Sequence, residues 1–506
     1  NHVSVSATLT HLARLYKLQG EYAKAKHLYN QSLVIIQKVL GKEYLDIGSI
    51  LNDIAEIYYI ENKYVEAELL LNQSLEISKK FLRTKNTNIA GTLSNLANVY
   101  YAQGKYDKVE TLYKQALVIS EEVLGKDNLQ VANVLNDLGR FYSFKNDYAN
   151  AELLLKRSLS IKEKILGTEH LCVGITLNNL AILYGIEGKY VDAELLLKKA
   201  LVIREGKLGK DHVFVAATLN DLASLYFVQD KYAEAETLYK QVLEISKKIL
   251  EPNSPDLAVT INNLAKVYIS QGKYVEAELL SQKALAIFEN TLGSEHPKVA
   301  ASMDNLALSY SKQNKYAEAE LLFRKSLKIK EKIFGENHSD IINTLDGLAL
   351  LYSAQGEYAK AELLLKKSLE ISQKTLGQSH PQEANTLNSL ATVYFAQGKY
   401  AEAEILYKRA LIALEKVFGT NHSTVGTTLN NLALLYNSQK KYGEAEPLYK
   451  RALIIFEEVL GKDHPNVGQV LENYAKLLFL TDKLEAQKLL DRAKAIKDKQ
   501  IQKVLK

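Results

Sequence analysis

Between residues 171 and 212 the apolar side chains fall in two runs. Val173, Leu177, Leu180, Ala181 and Tyr184 recur at i, i+4, i+7, i+8 and i+11, which is one face of an α-helix. After the polar break Glu187-Gly188-Lys189, a second helical run follows through Tyr190, Ala193, Leu196, Leu197, Ala200, Leu201 and Ile203. Gly209 suits a helix end, because glycine adopts the left-handed conformation without steric cost. The pattern predicts a helix, a tight turn and a second helix.

The same hairpin is copied along the chain. Tyr22, Tyr64, Tyr106, Tyr148, Tyr190, Tyr232, Tyr274, Tyr316, Tyr358, Tyr400 and Tyr442 stand 42 residues apart with no insertion or deletion. Twelve units follow: 3–44, 45–86, 87–128, 129–170, 171–212, 213–254, 255–296, 297–338, 339–380, 381–422, 423–464 and 465–506. A unit this small cannot bury its apolar face alone, so the copies must stack. Alanines such as Ala13, Ala181, Ala25 and Ala193 mark where the two helices approach; Gly139 and Val109 are the variants. This tyrosine column and a second one, Tyr16 through Tyr436, are expected in the core. Pro255, Pro297, Pro381 and Pro465 suit the first position of the next helix. Arg83 and Glu251 replace the terminating glycine.

Charge and composition narrow the function. With 64 basic and 59 acidic side chains, the chain lacks the basic stripe of a nucleic-acid binder. No run approaches the ~20 apolar residues of a membrane helix. Cys172 is the only cysteine, so no intrachain disulfide forms; it is expected as a small core residue in a reducing compartment, the cytoplasm. The chain starts at Asn1 and its one methionine is Met303, so a longer parent chain is expected.

The run LNNLAILYGIEGKYVDAELLLKKAL resembles the tetratricopeptide repeat through Leu177, Leu180, Ala181, Tyr184, Gly188, Tyr190, Ala193, Leu197 and Ala200. Its 42-residue variety is similar to the repeat of kinesin light chains, and residues 428–467 are close to that consensus. No heptad region accompanies it, so the likeness is to the repeat class and not to a kinesin light chain itself. The resemblance implies an all-α, right-handed superhelical solenoid of helix-turn-helix repeats. It also implies protein or peptide binding on the concave face lined by the first helix of each unit.

One column of that helix is polar throughout: Thr10, Asn52, Ser94, Asn136, Asn178, Asn220, Asn262, Asp304, Asp346, Asn388, Asn430 and Glu472. Mid-helix asparagine is unfavourable by about 0.5 kcal/mol relative to alanine, so its recurrence needs a cause. Two causes fit. The amides could pair with the backbone of an extended ligand, or each could bond to a neighbouring helix and stiffen the stack. The resemblance favours groove lining. Columns four and seven residues further on vary, and Tyr59, Tyr101, Arg140, Phe227, Lys266 and Phe395 are the candidates for side-chain selection there.

Other recurrences have structural readings. Eight histidines, from His2 and His170 to His464, precede helix starts without a second ligand at metal spacing; they read as loop-packing or capping residues, with no metal expected. The repeated Ala-Glu pairs read as scaffold salt bridges or a solvated flank, and Lys162-Glu163-Lys164 as a solvated convex face. No P-loop, GxSxG, HExxH or paired-Cys motif is present, so neither enzyme activity, a cofactor nor a small-molecule substrate is expected. In the last unit Glu485-Ala486 arrives one residue early and the tail is polar, as suits a cap. The expected function is a protein–protein interaction scaffold. The alternative is the sensor or autoinhibitory array of a larger signalling protein, such as a nucleotide-binding switch, whose catalytic part lies outside this chain.

Overall fold

The computed structural model describes residues 2–18, 21–41, 45–61, 63–81, 87–249, 252–376, 380–479 and 482–504. Arg83, Glu251 and Gly377, and the side chain of His2, lie outside the described residues. Among them are twenty-four α-helices in consecutive pairs, one 3-10 turn at Ser339–Ile341 and no strand. The pair Leu171–Ile186 and Tyr190–Leu208 is representative.

Local chemistry sets the helix ends. Gly167, Gly209, Gly293 and Gly419 follow second helices with φ of 80–84°, a region other residues enter only with strain. Pro255, Pro297, Pro381 and Pro465 each open a first helix. His212, His296, His338, His380, His422 and His464 are N-caps whose side chains accept from the backbone N–H two residues on. The histidine column is therefore a set of caps. Where Val109 replaces alanine, the second helix begins at Val109 and not at Tyr106.

The chain divides into two compact units, Asn1–Leu183 and Tyr184–Lys506. In the first, Ala13, Ala25, Ala55, Ala67, Ala97 and Ala151 are fully buried at the helix contacts. Gly139 takes the alanine position because a Cβ there would stand 2.9 Å from Leu155 Cγ. Lys162 departs from expectation: it is buried and donates to Thr176 Oγ1 at 3.0 Å, and burial lowers its pKa. Cys172 is half-buried.

In both units most rings of the two tyrosine columns are half-buried and Tyr400 is 38% exposed, whereas Tyr352 and Tyr436 of the second column are buried in the core as expected. The most deeply buried tyrosines form a third column, on the second helices: Tyr29, Tyr113, Tyr239, Tyr407 and Tyr449. Rings of the second column keep their hydroxyls at the surface, where Tyr226, Tyr268, Tyr352 and Tyr436 donate to Glu194, Glu236, Glu320 and Glu404. Those glutamates come from the Ala-Glu pairs and also bind lysines, for example Lys240 and Lys273 on Glu236. They are scaffold nodes, as the sequence suggests.

The second unit comes round on itself. Tyr190 stacks on Phe418 with ring centroids 5.8 Å apart. One repeat further on, Asp230 Oδ2 accepts from the Ser423 N–H at 2.6 Å, and His422 Nε2 reaches the Val228 carbonyl at 2.9 Å. One repeat further again, His464 Nε2 reaches the Ser270 carbonyl at 2.9 Å. Capping explains the last two contacts. Because Nδ1 accepts from the backbone at Thr424 or Asn466, the ring proton is left on Nε2 and points outward as a donor. The three hydrogen bonds form a seam between rims about 4.6 repeats apart in sequence, from separations of 193 and 194 residues and a 42-residue unit. At the C-terminus Pro465–Leu478 is a shortened first helix, and Ala486 keeps its buried place in the final helix, Lys483–Val504.

Candidate ligand-binding face

Four successive first helices of the second unit contribute to a cavity of about 410 Å³. Val213–Val228 supplies Phe227, and Pro255–Ser270 supplies Lys266 and Ile269. Pro297–Lys312 supplies Asp304, Asn305 and Leu308, and Ile342–Ala354 supplies Asp346, Gly347 and Leu350. Apart from Asn305 and Gly347, these are the polar column and the columns four and seven residues beyond it, which share a stripe at 100° per residue. Phe323 and Lys330 enter from a second helix. Gly347 leaves room for Phe323, since a Cβ there would stand 2.7 Å from its ring.

Two of the candidate residues, Phe227 and Lys266, thus line one cavity. Phe227 lies against Tyr232, with centroids 5.6 Å apart. Phe395 packs in the same way on Tyr400 at 5.8 Å. In the first unit Tyr59 and Tyr101 pair with Tyr64 and Tyr106 at 5.7 and 5.6 Å. The Arg140 guanidinium lies 5.3 Å from the centre of the Tyr101 ring and donates to Asn98 Oδ1 at 3.0 Å. Burial works to lower the Arg140 pKa, but the Asp137 carboxylate and the surrounding tyrosines hold it above the ordinary value.

The asparagine column divides. Asn136, Asn178, Asn262 and Asn430 are buried, while Asn52, Asn220 and Asn388 are half-buried. Asn52, Asn136, Asn262 and Asn430 accept on Oδ1 from Asn95, Asn179, Asn305 and Asn473 of the next first helix, at 2.9–3.2 Å. Asn220 lines a second cavity of about 290 Å³ with Phe214 and Val259. Asn52 lines one of about 200 Å³ in the first unit with Arg14 and Asp53.

Sequence reasoning omitted three columns of the face. Ala301 and Asn343, three residues before the polar column, Asn305 and Gly347, one after it, and Ser270, eight after it, also line the main cavity. Their angular positions, within about 100° of the column, are the signal that finds them. Among the described residues no group of three or more His, Cys, Asp or Glu comes together as a metal site, and no helix is long and apolar enough to cross a membrane.

The tetratricopeptide repeat model matches residues 4–80, 88–164, 154–206, 214–290, 260–332, 322–374, 340–416, 382–453 and 424–499. The chain belongs to the tetratricopeptide repeat family. Solved relatives of this tetratricopeptide repeat protein include a Podosopora anserina protein described as a kinesin light chain with nearly identical TPR-like repeats. It is 30% identical and matches over 41% of this chain and 98% of that one, with a TM-score of 0.33. BtubC (BKLC) of P. vanneervenii is 23% identical over 46% of this chain and 92% of its own, with a TM-score of 0.36. A Rap protein complexed with Competence and Sporulation Factor is 15% identical over 73% and 99%, with a TM-score of 0.55, and shares the fold. No curated protein matches the chain. Solenoids of this repeat family typically serve as protein-interaction scaffolds.

Proposed function

We propose that this tetratricopeptide repeat protein is a non-enzymatic scaffold that holds an extended polypeptide segment against the first helices of its repeats. The observation that carries this reading is the cavity shared by Phe227, Lys266, Leu308 and Leu350. Equivalent positions of successive repeats line it, so the face can follow a chain running along the array. The cavity sets these apolar walls beside polar and charged groups such as Asp304, Asn305, Lys330 and Asp346, the mixture a side-chain pocket requires. The seam favours an extended segment over a folded domain, because it joins two rims of the second unit and narrows lateral access.

The test is selection of random displayed peptides on the intact chain. Selected peptides are expected to bind at least about tenfold more weakly after Phe227→Ala or Leu350→Ala, as loss of an interface anchor predicts. They should bind unchanged after Val202→Ser, on the outer surface where Val202 is exposed. Peptides indifferent to both cavity substitutions, in variants with unchanged melting, would overturn the assignment.

A further inference from the structure

Three second helices each send a buried cation into the same place, against the first helix of the next repeat. Lys330 Nζ donates to Asp304 Oδ2 at 2.6 Å, to Thr344 Oγ1 at 2.8 Å and to the Asp340 carbonyl at 3.2 Å. Arg204 donates to the Phe214 carbonyl at 3.0 Å and to Thr218 Oγ1. Lys162 donates to Thr176 Oγ1 at 3.0 Å. In each case the threonine stands 14 residues after the cation.

Ser78, Ser120, Ser246 and Ser372 hold the cation's position in other repeats. In the repeats of Ser78 and Ser246 a cavity opens at equivalent residues. The one in the first unit, about 200 Å³, is lined by Asn52, Asp53, Asn88 and Thr92, and Arg14 enters it by donating to Asp53 at 2.9 Å. The one in the second unit, about 290 Å³, is lined by the counterparts Asn220, Asp221, Asp256 and Thr260, with Ser246 itself. Ile182 stands there where Arg14 would, so that position supplies no guanidinium.

The acceptors around Ser246 remain. Asn220 is the counterpart of Asp304, and its Oδ1 is buried with no hydrogen-bond partner among the described residues. Thr260 Oγ1 donates to the Asp256 carbonyl at 3.4 Å, which leaves its lone pairs to accept. In the repeat of Ser372 the Gln382 amide serves the counterpart acid, donating to Asp346 Oδ2 at 3.2 Å. Asp256 occupies the position of Gln382, and a carboxylate has no proton to give Asn220. Phe214, Val242 and Val259 add apolar wall. Two cations lie nearby: Asp221 acts on Arg204 and Asp256 on Lys298, each opposing the lowering of pKa that burial imposes, and neither cation lines the cavity.

We propose that the cavity at Ser246 is a binding site for an alkylammonium or alkylguanidinium group. The ligand's cation takes the place that Lys330 and Arg204 take in their own repeats, against Asn220 Oδ1, Thr260 Oγ1 and the Asp256 carbonyl, with its aliphatic stem on Val242 and Val259. The inference is independent of the groove reading, whose test lies at Phe227 and Leu350.

The experiment titrates the intact chain by saturation-transfer NMR with n-butylammonium, n-butylguanidinium and the neutral n-butanol. Two alanine pentapeptides with blocked ends, one with a central lysine and one with a central norleucine, complete the set. At least one of the two small cations is expected to bind about tenfold tighter than butanol, the factor that one hydrogen bond to a charged group supplies. Binding should be lost in Ser246→Met, which fills the cavity, fall at least about fivefold in Asn220→Leu, which removes the free acceptor, and persist in Val202→Ser. Thermal melting checks the fold of each variant. A lysine peptide that binds as tightly as butylammonium, with no binding by its norleucine analogue, identifies a polypeptide side chain as the ligand. Binding by the small cations alone identifies a free amine or guanidine, and either result supports the site. Butanol binding as tightly as both cations, cation binding undiminished in Ser246→Met, or no binding by any probe would each overturn it. If Ser246→Met does not fold, undiminished binding in Asn220→Leu overturns it equally.

Discussion

Asn305 donates its side-chain amide to Asn262 Oδ1 at 2.9 Å, from one first helix to the one before it. A second bond from the same nitrogen reaches the Asn262 backbone carbonyl at 3.2 Å. Both residues are buried, so the pair fixes the offset between consecutive repeats and uses the Asn262 amide acceptor within the stack.

Truncating that acceptor leaves Asn305 with only its bond to the Asn262 backbone carbonyl. Asn262→Ala is expected to cost about 0.5–1.5 kcal/mol in urea unfolding, the range for one buried hydrogen bond. Asn388→Ala removes a half-buried side chain whose Oδ1 has no partner, and should cost less than half as much. Equal losses at the two sites would show that the interhelical bond does not contribute.

Asp346 holds an acid where most repeats have asparagine. Burial pushes its carboxyl up to about 6 despite hydrogen bonds from Thr386 and Gln382, and Oδ1 lacks a partner. A folded-state pKa above the ordinary 3.8 means that the charged form opposes folding. This group's contribution should therefore improve as pH falls from about 6 toward about 4. Asp346→Asn should raise stability at pH 7.5 by roughly 1–3 kcal/mol, at about 1.4 kcal/mol per pKa unit, and remove that dependence. A variant less stable than the parent at pH 7.5 would contradict the account.

Glu236 and Glu362 behave oppositely. Burial alone would raise the Glu236 pKa, but Lys240, Gln271 and Lys273 bring it to about 2. Lys366 chiefly, with Gln397 and Lys399, does the same for Glu362. Each has a folded pKa below the ordinary 4.5, so its stabilisation is complete above about pH 4.5 and lost as pH falls toward about 2. Solvent screening limits the effect, and Glu236→Gln should cost about 1–2 kcal/mol at pH 7. Melting temperatures recorded from pH 6 to pH 2.5 should then fall less steeply in the variant than in the parent.

The seam is tested at Asp230, which accepts from Ser423 N–H and from the Tyr232 hydroxyl and lies 3.3 Å from His422 Nε2. Asp230→Ala should speed amide hydrogen exchange at 228–232 and at 422–424 together. Faster exchange confined to 228–232 would mean that the two rims are not energetically linked.

The hairpins, their caps and the proline starts were legible because each depends on neighbours within a few residues. Phe227 and Lys266 could be placed on one face for the same reason, since helical spacing fixes angle. Depth was not legible. Tyr22 and Tyr29 are seven residues apart on one helix, yet only Tyr29 is fully buried, because burial depends on which repeat packs above. Lys162 reads as solvated within Lys162-Glu163-Lys164, and its burial follows from Thr176 on the next helix.

The bonds from His422 to Val228 and from His464 to Ser270 join residues separated by the same 194 positions. In an open array, gaining or losing a repeat changes length and little else, because each copy meets only its neighbours. Here the rim works as a vernier: a residue inserted between these partners would set every cap on one side against the wrong carbonyl on the other. From Tyr190 to Tyr442 the spacing never departs from 42, and the seam supplies a physical penalty for any chain that drifts.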